Sequence, residues 1–342
     1  MLTDAIKQEI RDRLAAISKA MPGFRSRPAQ RLMIAEVAKT LANCPDPESK
    51  SAKPDPGKVI LCCQGGTGTG KSLGYALAGM VMSKHKAKKL VISSSTIALQ
   101  EQLTTRDLPF FQRAAGLSGT IELAKGRTRY VCVYKLGQAI ADMQQITMFG
   151  REERAGEETD SEAIRKDIEA MATEFAEGRW NGDRDARPGI TDDVWKHITT
   201  DRHGCLNRAC PSFRNCAQMQ ARKRVKEASV IVVNHDLLLA DLAMGGGKIL
   251  PAPEECFYML DEAHNLPEKA VSSFASSHFV NSERRSAEKL ANLAAAISDA
   301  VGKTHAAQAE RIHDEAEQLK ENLSDAYSYF ASLSQLKPTR EC

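Results

Sequence analysis

The sequence predicts an α/β protein, a parallel sheet with helices on both faces. Three observations point to it. Short apolar runs recur at Val59–Cys63, Leu90–Ser93, Val230–Val233 and Phe257–Leu260, and each reads as a buried parallel strand. A helical pattern, SLGYALAGMVM, separates the first two runs, as in a strand–helix–strand unit. A glycine-rich turn joins the first run to that helix.

Taken in order, residues 4–19 form an amphipathic pattern that predicts a helix, closed by the turn Met21–Pro22–Gly23. Gln30–Leu41 predicts a second helix. Four prolines between Cys44 and Lys58 exclude regular structure there and make it a linker. The segment from about 110 to 225 interrupts the alternation of strands and helices. It holds four spaced cysteines and the charged stretch Arg151–Glu162, and strand signals resume at Val230, so it reads as an insertion. After residue 265 the pattern is wholly helical. Leu290, Leu293, Ile297 and Val301 form one stripe, and Ile312, Ala316, Leu319, Leu323, Ala326, Phe330 and Leu333 form another. Gly302–Thr304 reads as the break between them, and two antiparallel helices are expected to bury both stripes.

Composition limits the function classes. The 342 residues are 42% hydrophobic and 27% charged, ordinary values for a soluble globular chain. A net charge of +3 does not by itself demand a polyanionic partner, although KHKAKK at 84–89 and RKRVK at 222–226 are local basic runs. No run approaches the roughly 20 apolar residues of a membrane helix, and the first residues lack the apolar core of a signal peptide. Nine cysteines, an odd number without an export signal, argue against a disulfide framework and for a reducing cytoplasm.

The chemistry concentrates in three places. Gly65, Gly66, Thr67, Gly68, Thr69, Gly70, Lys71 and Ser72 spell a phosphate-binding loop between a predicted strand and helix. Its backbone N–H groups and the helix N-terminus suit the phosphates of ATP. Lys71 would neutralise the β- and γ-phosphates, and the Ser72 hydroxyl would hold Mg²⁺. Asp261-Glu262-Ala263-His264 follows the apolar run CFYML, so its acids are expected beside the loop. Asp261 would hold Mg²⁺, and Glu262 would orient and deprotonate the attacking water. The cysteines are Cys132, Cys205, Cys210 and Cys216. Three close thiolates plus a distant fourth suit either a [4Fe–4S] cluster or Zn²⁺, and buried unligated thiols are the plainer alternative. Zinc sites favour tighter pairs, so the wider spacing favours the cluster. His203 is a conceivable substitute ligand. Cys62 and Cys63 are expected in the core, within the first strand. Asn234 and His235 read equally as a helix cap or as the joint coupling the sheet to a bound strand.

These motifs, in this order, resemble the iron–sulfur superfamily 2 helicases of the DinG/XPD group. RPAQRLM at 27–33 is similar to that family's Q motif, and VISSSTIALQEQL at 91–103 to its motif Ia. KGRTRYVC at 125–132 and WNGDRD at 180–185 are similar to the stretches flanking its cluster, and VVNHDLLLADL precedes the acidic box as it does there. The resemblance runs from about residue 24 onward. It implies a RecA-like ATP-binding domain in two parts (1–109 and 225–272), an iron–sulfur domain at 110–224, and a helical arch-like segment at 273–342. It also implies that Gln30 reads the adenine, that Thr96 and Gln100 face DNA, and that the cluster staples a domain too small to hold itself by a core. The implied activity is ATP-dependent 5′→3′ unwinding of forked DNA by translocation on single strands. One departure stands out: no second run of strands follows residue 265. The chain therefore reads as the front half of such a motor, a truncated or split ATP- and DNA-binding module, with a second polypeptide needed to complete it.

Overall fold

The computed structural model describes residues 2–45, 59–66, 68–149, 158–202, 204–275, 280–300 and 303–335. The chain divides into two compact units, Met1–Ser273 and Phe274–Cys342.

The first unit is built on a four-stranded parallel sheet in the order β2-β3-β1-β4, with β1 at Lys89–Ser94, β2 at Ile121–Leu123, β3 at Val230–Asn234 and β4 at Cys256–Leu260. Ile92 lies opposite both Val232 and Met259, so three apolar runs that are far apart in sequence meet in one register. Side chains alternate between the two faces. Leu90, Ile92, Val230, Val232, Phe257 and Met259 meet α1 (Asp4–Ala20), α2 (Pro28–Ala42) and α3 (Lys71–His85). Val91, Ile231 and Val233 meet α9 (Ala217–Glu227) and α10 (His235–Ala243) on the other side. Every residue of α3 from Leu73 to Ser83 is buried, and the missing side chain of Gly79 lets the helix press on Leu90 and Met259. Beyond β4 the chain turns through the acidic box into the short helix α11 (Leu266–Phe274).

One predicted strand is not formed. Residues 60–66 carry no regular structure, Ile60 is 67% exposed, and Cys62 and Cys63 are exposed rather than in the core. The topology shows where it would have paired. From β1 the chain crosses to β2 by α4 (Ile97–Glu101) and α5 (Leu108–Ala114) on the face of α3, and returns to β3 and β4 by α9 and α10 on the opposite face. Right-handed crossovers then put the segment that feeds α3 on the β4 side of β1. The outer edge of β4 carries no strand among the described residues, so the run at 60–66 stands outside the sheet beside the place it would have joined.

Between β2 and β3 lies the cysteine-bearing segment, with α6 (Val133–Phe149), α7 (Glu158–Ala176), α8 (Asp192–Ile198) and several 3₁₀ turns. It has an apolar core of its own, centred on Tyr130, Leu136, Ile168, Met171, Trp180, Trp195 and Ile198. The expectation that it could not hold itself by a core is therefore corrected.

The second unit contains α12 (Val280–Ala300) and α13 (Lys303–Gln335), packed together. Their seam is made of alanines: Ala287, Ala291 and Ala294 on α12, with Ala309 and Ala316 on α13. Of the stripes expected to be buried, Ala316 is, whereas Leu290, Leu293 and Ile297 are 43–58% exposed and Ile312 and Leu319 about half. Small side chains allow the closer approach, and the leucine stripes lie one helical step away from it. Val301, Gly302 and Leu333 fall outside the residues whose packing is described.

Candidate nucleotide site and cysteine cavity

The phosphate loop is held from below by the segment similar to the Q motif. Arg27 donates to the Gly68 carbonyl, and Gln30 Nε2 donates to the Gly70 carbonyl at 3.2 Å. Gln30 is itself buried, so it grips the loop. Gly70 caps α3 at φ +77°, a left-handed conformation that disfavours a side chain, and a Cβ there would strike the Gln30 amide. Thr69 closes the turn, its hydroxyl donating to the Gly66 carbonyl at 2.8 Å. Gly65, Gly66, Gly68, Thr69 and Gly70 thus lead into the N-terminus of α3, whose first N–H groups have no intrahelical acceptor. Thr67 lies outside the described residues.

The acidic box reaches this loop from far along the chain. Lys71 Nζ lies 3.0 Å from Glu262 Oε1, although the two are 191 positions apart. Tyr75 donates its hydroxyl to Asp261 Oδ2 at 3.0 Å, and the Asp261 N–H is fixed to the Ser93 carbonyl at 2.8 Å. Glu262 sits at φ +53°, a left-handed strain of about 1–3 kcal/mol that tends to mark functional turns. His235 is fully buried, its Nδ1 sharing a hydrogen bond of 2.7 Å with Ser93 Oγ. Burial lowers its pKa, so the ring is neutral, and it faces the backbone of Asp261 and Glu262. Asn234 is a helix cap, its Oδ1 accepting the Leu237 N–H at 2.8 Å. The cap reading of Asn234 is borne out, and His235 links β1, β3 and the acidic turn.

The motif Ia expectation divides. Thr96 is exposed and its hydroxyl caps α4, whereas Gln100 is buried. Nothing in the pattern of that segment distinguished the two positions.

The four cysteines line one cavity of about 40 Å³, together with Tyr130, Leu206 and Phe213. Cys205, Cys210 and Cys216 come from a chain of 3₁₀ turns ending at α9, and Cys132 from the start of α6. Burial raises the Cys132 thiol pKa, and the neighbouring Cys210 and Cys216 add to the rise. Burial lowers the pKa of half-buried Arg222, and the neighbouring Arg127 charge adds to the fall. Among the described residues no three His, Cys, Asp or Glu side chains stand at the spacing of a single metal ion. His203 lies outside the described residues.

An ion-pair clamp, which the sequence reading did not foresee, lies in the same segment. Lys125 meets Asp183 at 2.5 Å and Asp185 at 2.9 Å, Arg129 pairs with Asp185, and Tyr130 bridges to Asp183. It ties KGRTRYVC to WNGDRD, the two stretches singled out by resemblance alone.

Fold and site together define an α/β protein with a phosphate-type glycine loop opposite an acidic turn. The chain is homologous to proteins named ATP-dependent DNA helicase DinG. It is 40% identical over 282 residues to the one from Photobacterium profundum, covering 81% of this chain and 38% of that protein. It is 34% identical over 274 residues to that of Escherichia coli, and 33% over 273 to that of Salmonella typhimurium, each covering 79% of this chain and 36% of the relative. The chain therefore spans less than two fifths of the length of these relatives. No family model matches the chain. Among the described residues no helix is long and apolar enough to cross a membrane.

Proposed function

We propose that this chain is the ATP- and DNA-binding part of a DinG-type 5′→3′ DNA helicase, and that unwinding requires a second α/β domain. The observation that carries the nucleotide reading is the pairing of Lys71 with Glu262 at 3.0 Å, which brings the phosphate loop and the acidic turn into one site. In the free protein Glu262 occupies the lysine that triphosphate would claim. Incoming phosphates compete for Lys71 and release Glu262, whose carboxylate then orients water for in-line attack and accepts its proton. Ser72 and Asp261 offer hard oxygen donors suited to Mg²⁺. When bound, Mg²⁺ would neutralise phosphate charge. Gln30 and Arg27 hold the loop in shape, and adenine recognition falls to Gln30 only if its amide turns away from Gly70.

We read the cysteine cavity as the place of a [4Fe–4S] cluster on Cys132, Cys205, Cys210 and Cys216, because all four thiols border one space. The cluster would cross-link the 3₁₀ turns to α6, adding to the apolar core already there. Residues 110–224 would then be the iron–sulfur domain and 273–342 an arch-like segment.

The partial-motor reading is supported by coverage, since the chain spans less than two fifths of the length of the relatives it matches. Single-stranded DNA is the proposed partner, met through Thr96, the cysteine segment and the basic run at 222–226. Such contacts are mostly to phosphates, so affinity should be modest and steeply weakened by salt.

ATP turnover by the purified chain with and without single-stranded DNA, alongside fork unwinding at saturating ATP, tests this. Salt-sensitive strand binding with no processive unwinding supports the proposal. Robust 5′→3′ displacement by the chain alone overturns the partial-motor reading, and absence of strand binding overturns the DNA reading.

A further inference from the structure

Tyr75 lies one turn after Ser72 on α3, so the two side chains leave the same face of the helix. It is 8% exposed. Its hydroxyl donates to Asp261 Oδ2 at 3.0 Å, and the Ser72 hydroxyl faces the same phenolic oxygen. The other Asp261 oxygen accepts the Glu262 N–H at 3.1 Å. A buried tyrosine needs only some acceptor for its hydroxyl. Here the acceptor is the acidic residue of the box, and the neighbour on the same helix face is the hydroxyl of the phosphate loop.

We infer that Tyr75 is a positioning residue for the divalent cation, fixing the Asp261 carboxylate relative to the Ser72 hydroxyl so that the two oxygens form one hard-donor site. The inference rests on the proposed nucleotide reading. Asp261 comes from a turn after β4 and Ser72 from the start of α3, and Tyr75 is the side chain that touches both. A carboxylate held at each oxygen cannot rotate away from the cation, which is the usual work of groups standing behind metal ligands.

The test compares the full chain with Tyr75→Phe, which keeps the ring and its packing and removes only the hydroxyl. Binding of a fluorescent ATP analogue is titrated with Mg²⁺ and repeated in EDTA. For Tyr75→Phe the Mg²⁺ concentration at half-saturation should rise roughly tenfold, with metal-free nucleotide affinity and melting temperature unchanged. In an Asp261→Asn background, Tyr75→Phe should add nothing, because its acceptor has lost the charge it positions. Equal Mg²⁺ dependence in parent and Tyr75→Phe overturns the inference, as does an equal loss of affinity with and without Mg²⁺. A parent that binds no nucleotide at all removes the underlying site as well, which separates that failure from the first.

Discussion

The sheet and the cysteine-bearing segment are stabilised by different means. In the sheet, Leu90, Val91, Ile92, Ile231 and Val232 are fully buried, and order comes from periodic apolar burial between two helical layers. The cysteine segment instead combines a small core, where Trp180 and Trp195 stack edge to face at 6.4 Å, with a charge clamp at its neck. Burial in the sheet is spread over many equivalent positions, whereas the segment depends on a few particular pairs. The two regions should therefore fail separately. The chain has two tryptophans and both lie in the segment, so their fluorescence reports on that region alone.

The largest separation should come from Trp195→Ala. Removing a ring that is 4% exposed should cost about 3–5 kcal/mol within the segment. The fluorescence of Trp180 should then melt well before the helical circular dichroism, with nucleotide binding retained. Leu77→Ala is the converse, because Leu77 is fully buried in α3 beneath the phosphate loop. It should cost about 2–5 kcal/mol and weaken nucleotide binding, while the tryptophan signal keeps its native maximum under mild conditions. A single shared transition in both variants would show that the regions are one cooperative body.

Lys125→Ala sharpens the comparison at the clamp. Lys125 and Asp183 are each 15% exposed, between the exposed and the buried case. Leaving Asp183 and Asp185 without their shared cation should cost roughly 1–2 kcal/mol, seen as an earlier tryptophan transition. The smallest effect is acid loosening at Glu174, whose carboxyl is held below the usual range by its hydrogen bond to Arg187. A depressed carboxylate stabilises above its unfolded value and loses that contribution as pH falls through its folded value. Tryptophan fluorescence should therefore begin to shift below about pH 4, and less so in Glu174→Gln.

The same contrast explains what could be read in advance. Strands β1, β3 and β4 and helices α1 to α3 follow from apolar periodicity and glycine placement, and the pairing of Lys71 with Glu262 follows from motif order. The run at 59–63 has the same local character as those strands but stands outside the sheet, a difference that local character does not show. The alanine seam of α12 and α13 was hidden because leucine stripes dominate any hydrophobic pattern, while helices also pack where side chains are smallest. Gln100 and Thr96 lie on one short helix, and only tertiary packing shows which of them is buried. The clamp between Lys125 and Asp183 joins residues 58 apart by charge, which leaves no period to detect. Tyr75 was not singled out in the sequence, because its acceptor lies on a distant turn.

The account turns on one site formed by the loop at Gly65–Ser72 and the turn at Asp261–Glu262. The most direct measurement is ATP binding and ATP turnover by Glu262→Gln beside the parent, with Lys71→Ala as reference. The amide competes less for Lys71 and takes no proton, so Glu262→Gln should bind ATP at least as tightly as the parent and lose hydrolysis by at least about a hundredfold. Lys71→Ala should lose tight binding. Parental turnover in Glu262→Gln would contradict the assignment of the base, and undiminished binding by Lys71→Ala would contradict the site itself.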